Sequence, residues 1–98
     1  MTYVQTMTDR DLNVEIAELL DYPQNRFVPN YCVDILASQE LQAKAMEINY
    51  ADYIEKLAEI VNPFELWTYE GIASLLLAKP RAIAEASYTI LKEKHRKE

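Results

Sequence analysis

Three features of the sequence predict a mainly α-helical fold, a compact arrangement of four to five helices around one core with at most a small β element. First, the only glycine is Gly71, whereas β-rich domains spend several glycines on hairpins and bulges. Second, alanine, leucine, glutamate, lysine and glutamine dominate the composition, and all of them favour helices. Third, apolar residues recur at spacings of three and four between recognisable caps and prolines. With 98 residues, half of them hydrophobic and 27% charged, the chain reads as one domain, 1–98, able to bury a core without a metal or disulfide.

Residues 1–7 show no period and read as a loose terminus. Thr8 stands three before Asp11, close to a capping box, and Leu12, Ile16, Leu19 and Leu20 follow on one face of a helix over 9–20. Pro23 ends it. Residues 23–29 form a loop in which Arg26-Phe27-Val28 could add a very short strand. Asn30 is the expected N-cap of a second helix reaching Met46, with an apolar stripe of Val33, Leu36, Ala37, Leu41 and Ala45.

Asn49 then caps a third helix, with Asp52 at its third position and Ile48 and Tyr53 spaced as a hydrophobic staple. Tyr50, Tyr53, Ile54, Leu57, Ile60 and Val61 make its apolar face, and Asn62-Pro63 stops it. Thr68 could cap a short helix carrying Ile72, Leu75 and Leu76, although a buried strand fits that run equally well. Pro80 opens the last helix, where its missing N–H costs nothing. Ile83, Ala86, Ser87, Ile90 and Leu91 face inward, and 93–98 read as a frayed basic tail.

Leu12-Asn13, the run Val28-Pro29-Asn30-Tyr31-Cys32-Val33-Asp34 and the run from Ala78 to Ala86 resemble the phage ABA-sandwich family of small bacteriophage and prophage proteins. The resemblance implies a layered α/β/α design with a small sheet and a phage protein acting inside a bacterium. It brings no catalytic residues with it.

The chemistry-bearing residues do not assemble into an active site. Asp11, Glu15 and Glu18 share a helix face, but the one histidine, His95, sits in the tail and leaves them without the imidazole partner that carboxylate metal sites recruit. Cys32 lacks an assignable base and reads as a small buried hydrophobe; as the only cysteine it rules out an intramolecular disulfide. Phosphate loops, Ser-His-Asp sets and Cys-x-x-Cys pairs are absent. The expectation is a protein that is not an enzyme and carries no cofactor or metal. The longest apolar-rich run, 72–78, has seven residues against about twenty for a membrane span, and the sequence starts with no apolar leader, so a cytoplasmic protein is expected.

Charge is the strongest functional signal. The net charge is −6. It is unevenly spread, with thirteen acidic and four basic residues in 1–78 against three and six in 79–98. An acidic body speaks against direct nucleic-acid binding and suits a basic partner. Glu40, Glu47, Asp52, Glu55 and Glu59, with Trp67 and Tyr69 as aromatic anchors, are the expected partner-binding residues. The expected function is a small non-enzymatic interaction protein acting on a bacterial host protein. It would cover a basic nucleic-acid-binding surface in the manner of an anti-CRISPR inhibitor of a defence complex. Two alternatives stay open: a self-associating structural subunit, and a small nucleic-acid-binding regulator using the basic last helix.

Overall fold

In a computed structural model that describes residues 4–21, 28–61 and 68–97, the described residues form four α-helices. They are α1 (Asp9–Leu19), α2 (Ile35–Val61), α3 (Tyr69–Leu76) and α4 (Pro80–Lys97), preceded by one 3₁₀ turn at Val4–Thr6. No strand occurs among the described residues. The likeness to the ABA-sandwich family is therefore overturned: its middle sheet would need extended segments between the flanking helices, and 35–61 is helical instead. The phage provenance that rested on it falls as well. The short strand expected at Arg26-Phe27-Val28 does not reach Val28, and residues 26 and 27 lie outside the described segments.

Local chemistry sets most of the helix ends. Thr8 caps α1, its hydroxyl oxygen accepting from the Asp11 N–H at 3.1 Å. Asp21 closes that helix in a left-handed conformation, φ 55°, which aspartate tolerates better than most non-glycine residues. Asn30 does not cap α2 as expected. Its side-chain oxygen is taken by the Asn13 amide at 3.0 Å, and the carboxylate of Asp34 accepts from Leu36 N and Ala37 N instead. Thr68 caps α3 by accepting from Gly71 N at 3.0 Å, which decides that run as helix rather than strand.

The expected second and third helices are the two halves of α2. Asn49 breaks them with extended backbone, φ −163° and ψ 91°, and its side chain caps the second half by accepting from Asp52 N at 3.1 Å. The kink lets both halves face the same neighbour, α4. One core cluster joins Leu12, Ile16, Tyr31, Cys32, Leu41, Ala84, Tyr88 and Leu91. The other joins Ala45, Tyr53, Leu57, Ile83, Ala86 and Ile90, and Ile48 beside the kink packs against both.

α4 is the hub. Every residue from Ile83 to Ser87 is buried, and so is Tyr88. Burial all around a helix requires small side chains where neighbours approach closely, and Ala84, Ala86 and Ser87 supply them. The Val4–Met7 segment is held against this hub rather than loose, with Val4 and Met7 packed on the first cluster. At the other end α4 stays helical through Lys97.

Three expected apolar-face positions turn outward. Leu36 and Val33 are exposed, because α2 directs Ser38, Leu41 and Ala45 inward, and Leu36 lies two residues, about 200° of helical rotation, before Ser38. Tyr50 is also exposed, since the second half of α2 buries Tyr53, Leu57 and Ala58.

Candidate interaction surface

Asp52, Glu55 and Glu59 follow one another at i, i+3 and i+7 along the second half of α2 and form one stripe. Glu55 and Glu59 are exposed and Asp52 is half-buried. Glu40 and Glu47, also i and i+7, lie on the outer side of the first half and are exposed. The kink at Asn49 separates the two rows. Glu47 also borders a polar hollow of about 360 Å³ with Lys44, Lys94 and His95, so that row ends in mixed charge. Tyr69 is 94% exposed at the start of α3. Trp67 lies outside the described residues, as do Tyr22, Phe27 and Phe64. Tyr31, in the turn that leads into α2, is a core residue.

A feature that the sequence reading missed lies on the opposite side of α2's first half. A groove of about 720 Å³ runs between α2, α3 and the start of α4. Its walls include Ile35, Met46, Ile54, Ile72, Leu76 and Leu77, while Ser38, Gln42 and Tyr53 contribute the polar atoms. The Tyr53 hydroxyl donates to Gln42 Oε1 at 2.7 Å. The sequence signal was available in the short run 72–77, but its exposure depends on where α3 docks.

Arg81 is the most heavily engaged polar side chain. Its Nε donates to Glu85 Oε2 at 2.7 Å and its Nη1 to Asp9 Oδ1 at 2.8 Å. Nη1 also faces Cys32 Sγ at 3.8 Å, and Nη2 donates to the carbonyls of Val4 and Met7 at 3.0 and 2.8 Å. All the guanidinium nitrogens are engaged by the protein itself, which marks the residue as a clamp. Beside it, Asn13 holds the turn that leads into α2: its amide donates to Asn30, and its carbonyl oxygen accepts from Cys32 N at 3.3 Å. The three stretches that carried the family resemblance therefore meet at one structural node.

The carboxylate row on α1 is also in structural use at one position, since Tyr88 donates its hydroxyl proton to Glu15 Oε2 at 2.8 Å. Among the described residues no three His, Cys, Asp or Glu side chains come together as metal ligands would. None of the described helices is long and apolar enough to cross a membrane. No family model matches the chain, and no curated protein or solved structure matches it either.

Burial pushes the Cys32 thiol up to about 11 from an ordinary value of 9.0, outweighing the lowering by the Arg81 cation. Burial also raises the Tyr53 and Tyr88 hydroxyls. The unfolded chain releases these protons at lower pH than the folded one, so deprotonation favours unfolding. Below pH 9 the contribution of Cys32 is fully present, and it is lost as pH rises towards 11. The expected loss is about 1–3 kcal/mol from Cys32, at about 1.4 kcal/mol per pH unit at most. Melting temperatures at pH 8 and pH 10.5 check it: the drop should be smaller in Cys32→Ala than in the parent. Equal drops would place the alkaline sensitivity elsewhere.

Proposed function

We propose that this protein is a non-enzymatic interaction protein whose acidic outer faces cover a basic surface on a partner. The observation that carries this reading is the unequal use of charge. The cation at the heart of the fold, Arg81, is consumed by Asp9, Glu85 and backbone carbonyls. Between residues 34 and 70, Asp34, Glu40, Glu47, Glu55, Glu59 and Glu70 all stand exposed. Rows of carboxylates on a rigid helix present like charges at fixed spacing, which resembles a phosphate track to a basic groove. Tyr69, and Trp67 two residues before it in sequence, supply large aromatic anchors for the centre of such a contact.

Affinity capture from a cell lysate, then binding kinetics with the captured partner at two salt concentrations, tests the reading. Reversing Glu55 and Glu59 to lysine together should slow association about tenfold and flatten its salt dependence, because rim charges act mainly on encounter. Parent-like binding by that variant, with loss of binding in Lys92→Glu and Lys94→Glu, would place the contact on the basic end of α4 instead.

A further inference from the structure

The groove between α2, α3 and the start of α4 has the dimensions of a small-molecule site. We propose that it binds a single-chain amphiphile with an anionic head group, of which a medium-chain fatty acid is the simplest example. The chain lies along the apolar walls and the head group meets Lys79. This site is separate from the acidic rows, and neither reading depends on the other.

Volume sets the class of occupant. At about 720 Å³ the groove falls inside the range of about 300–1,000 Å³ typical of small-ligand sites. Its apolar lining is a small fraction of the roughly 800 Å² that each partner contributes to a standard protein interface. A protein segment finds too little surface there, whereas an alkyl chain needs only a trough of its own width. Ile54 and Leu57 of α2, Ile72 and Leu75 of α3 and Ile83 of α4 supply that trough. Leu76 and Leu77 line it while 81% and 80% exposed, so a bound chain takes apolar surface out of water.

Charge sets the head group. Lys79 is the one charged residue lining the groove among the described residues. It is exposed. Unlike Arg81 two residues later, its side chain has no ion pair or hydrogen bond within the described residues. Its backbone carbonyl accepts from Ile83 N at 3.1 Å, which puts Lys79 at the capping position of α4, and the positive end of that helix dipole adds to its field. Glu70 lies in the first turn of α3, whereas Lys79 follows the other end of that helix by three residues.

The remaining polar groups do not compete for the ligand. Tyr53 donates its hydroxyl proton to Gln42 Oε1 at 2.7 Å, and Ser38 donates its own to the Ile35 carbonyl at 2.8 Å. With both protons spent, Lys79 is the strongest group left to address a ligand, which therefore needs one charged end and an apolar body. The smaller hollow beside Glu47 has no such bias, because two lysines and two carboxylates, Lys44, Lys94, Asp21 and Glu47, share its lining.

Decanoate, kept below its micellar concentration, and the cationic decyltrimethylammonium serve as probes. In titrations followed by amide NMR shifts, decanoate should move the groove-lining residues and bind about tenfold more tightly than decyltrimethylammonium, or better. Octanoate should bind about fivefold more weakly than decanoate, less than full burial of two methylenes would give, because a groove leaves part of the chain in water. Lys79→Glu should weaken decanoate about tenfold or more; a carboxylate suits the start of a helix, so the fold is retained. Leu76→Ser should weaken it about fivefold through lost apolar contact. Lys44→Glu makes the same charge change in the smaller hollow and should leave the affinity within about twofold, since exposed charges at a distance are screened. Circular dichroism establishes that the variants fold.

Absence of decanoate binding overturns the proposal, and so does equal binding of the two probes. Parent-like affinity in Lys79→Glu, or an equal loss in Lys44→Glu, would overturn it by showing that the head group is held by the overall charge or by the other hollow. Protein that ignores decanoate but sediments with vesicles of zwitterionic lipid doped with anionic lipid would overturn it in favour of a lipid surface.

Discussion

Leu12→Ala should lower the unfolding free energy by about 3–5 kcal/mol, and Leu57→Ala by about 2–3 kcal/mol, within the range for buried leucines truncated to alanine. Leu12 is 0% exposed and sits in the cluster that joins α1, the turn at Tyr31 and Cys32, α2 and α4. A cavity there has walls on every side and little chance to collapse. Leu57 is also buried, at 4%, but it lines the groove, so its lost volume opens towards solvent. Equilibrium denaturation of the two variants checks both the magnitudes and their order. For a domain held by roughly 5–15 kcal/mol, Leu12→Ala removes a large share of the total. Equal losses at the two sites would mean that the groove is closed over in solution.

Arg81→Ala should cost about 2–4 kcal/mol, most of it through what the residue leaves behind. Its ion pair with Asp9 contributes little, since the Asp9 side chain is 56% exposed and water screens such pairs. Glu85 is different. Its side chain is 10% exposed, and without the guanidinium a buried carboxylate loses its cation. The carbonyls of Val4 and Met7 each lose the Arg81 donor in the same step, Val4 keeping only the Met7 N–H, so amide exchange around residues 4–9 should quicken along with the loss of stability. Arg81→Lys should recover less than half, because an ammonium cannot fork between Glu85, Asp9 and two carbonyls. Arg81→Ala combined with Glu85→Ala should cost less than the sum of the two single changes, because the orphaned carboxylate is gone. Simple additivity would show that the clamp acts as independent contacts.

Local features were legible wherever a few neighbouring residues decide the outcome. Thr8, Asn49 and Thr68 were each readable as caps, and each accepts the backbone N–H that its spacing predicts. Pro80 begins α4 because its fixed φ suits a first turn. The inward positions Ile83, Ala86, Ser87, Ile90 and Leu91 followed from period alone, and all are buried. One cap was misread. Asn30 has the right residue type, but its side chain is claimed by Asn13, seventeen residues away, and no local rule anticipates a distant competitor.

The surface was less legible. Acidic residues could be assigned to outer faces because carboxylates stay in water unless they are paired, and this holds for Glu40, Glu47, Glu55 and Glu59. The apolar groove could not be assigned. Leu36, Leu76 and Tyr50 are as hydrophobic as the buried Leu41, Leu57 and Tyr53, and only packing separates the two sets.

The sequence by itself determined that this protein is helical, where most of its helices are capped or broken, and that Glu40, Glu47, Glu55 and Glu59 lie on the outside. These properties follow from backbone hydrogen bonding and hydration, which act over a turn or two of chain. Tertiary structure alone decided that α4 is the hub buried on nearly every side, that Arg81 ties Val4, Met7, Asp9 and Glu85 together, and that α3 leaves an apolar groove beside α2. Those outcomes depend on which helix faces meet. Such meetings are set by the summed packing of residues up to 77 positions apart in the chain, and the hydrophobic effect that drives them rewards buried area without specifying which partner supplies it.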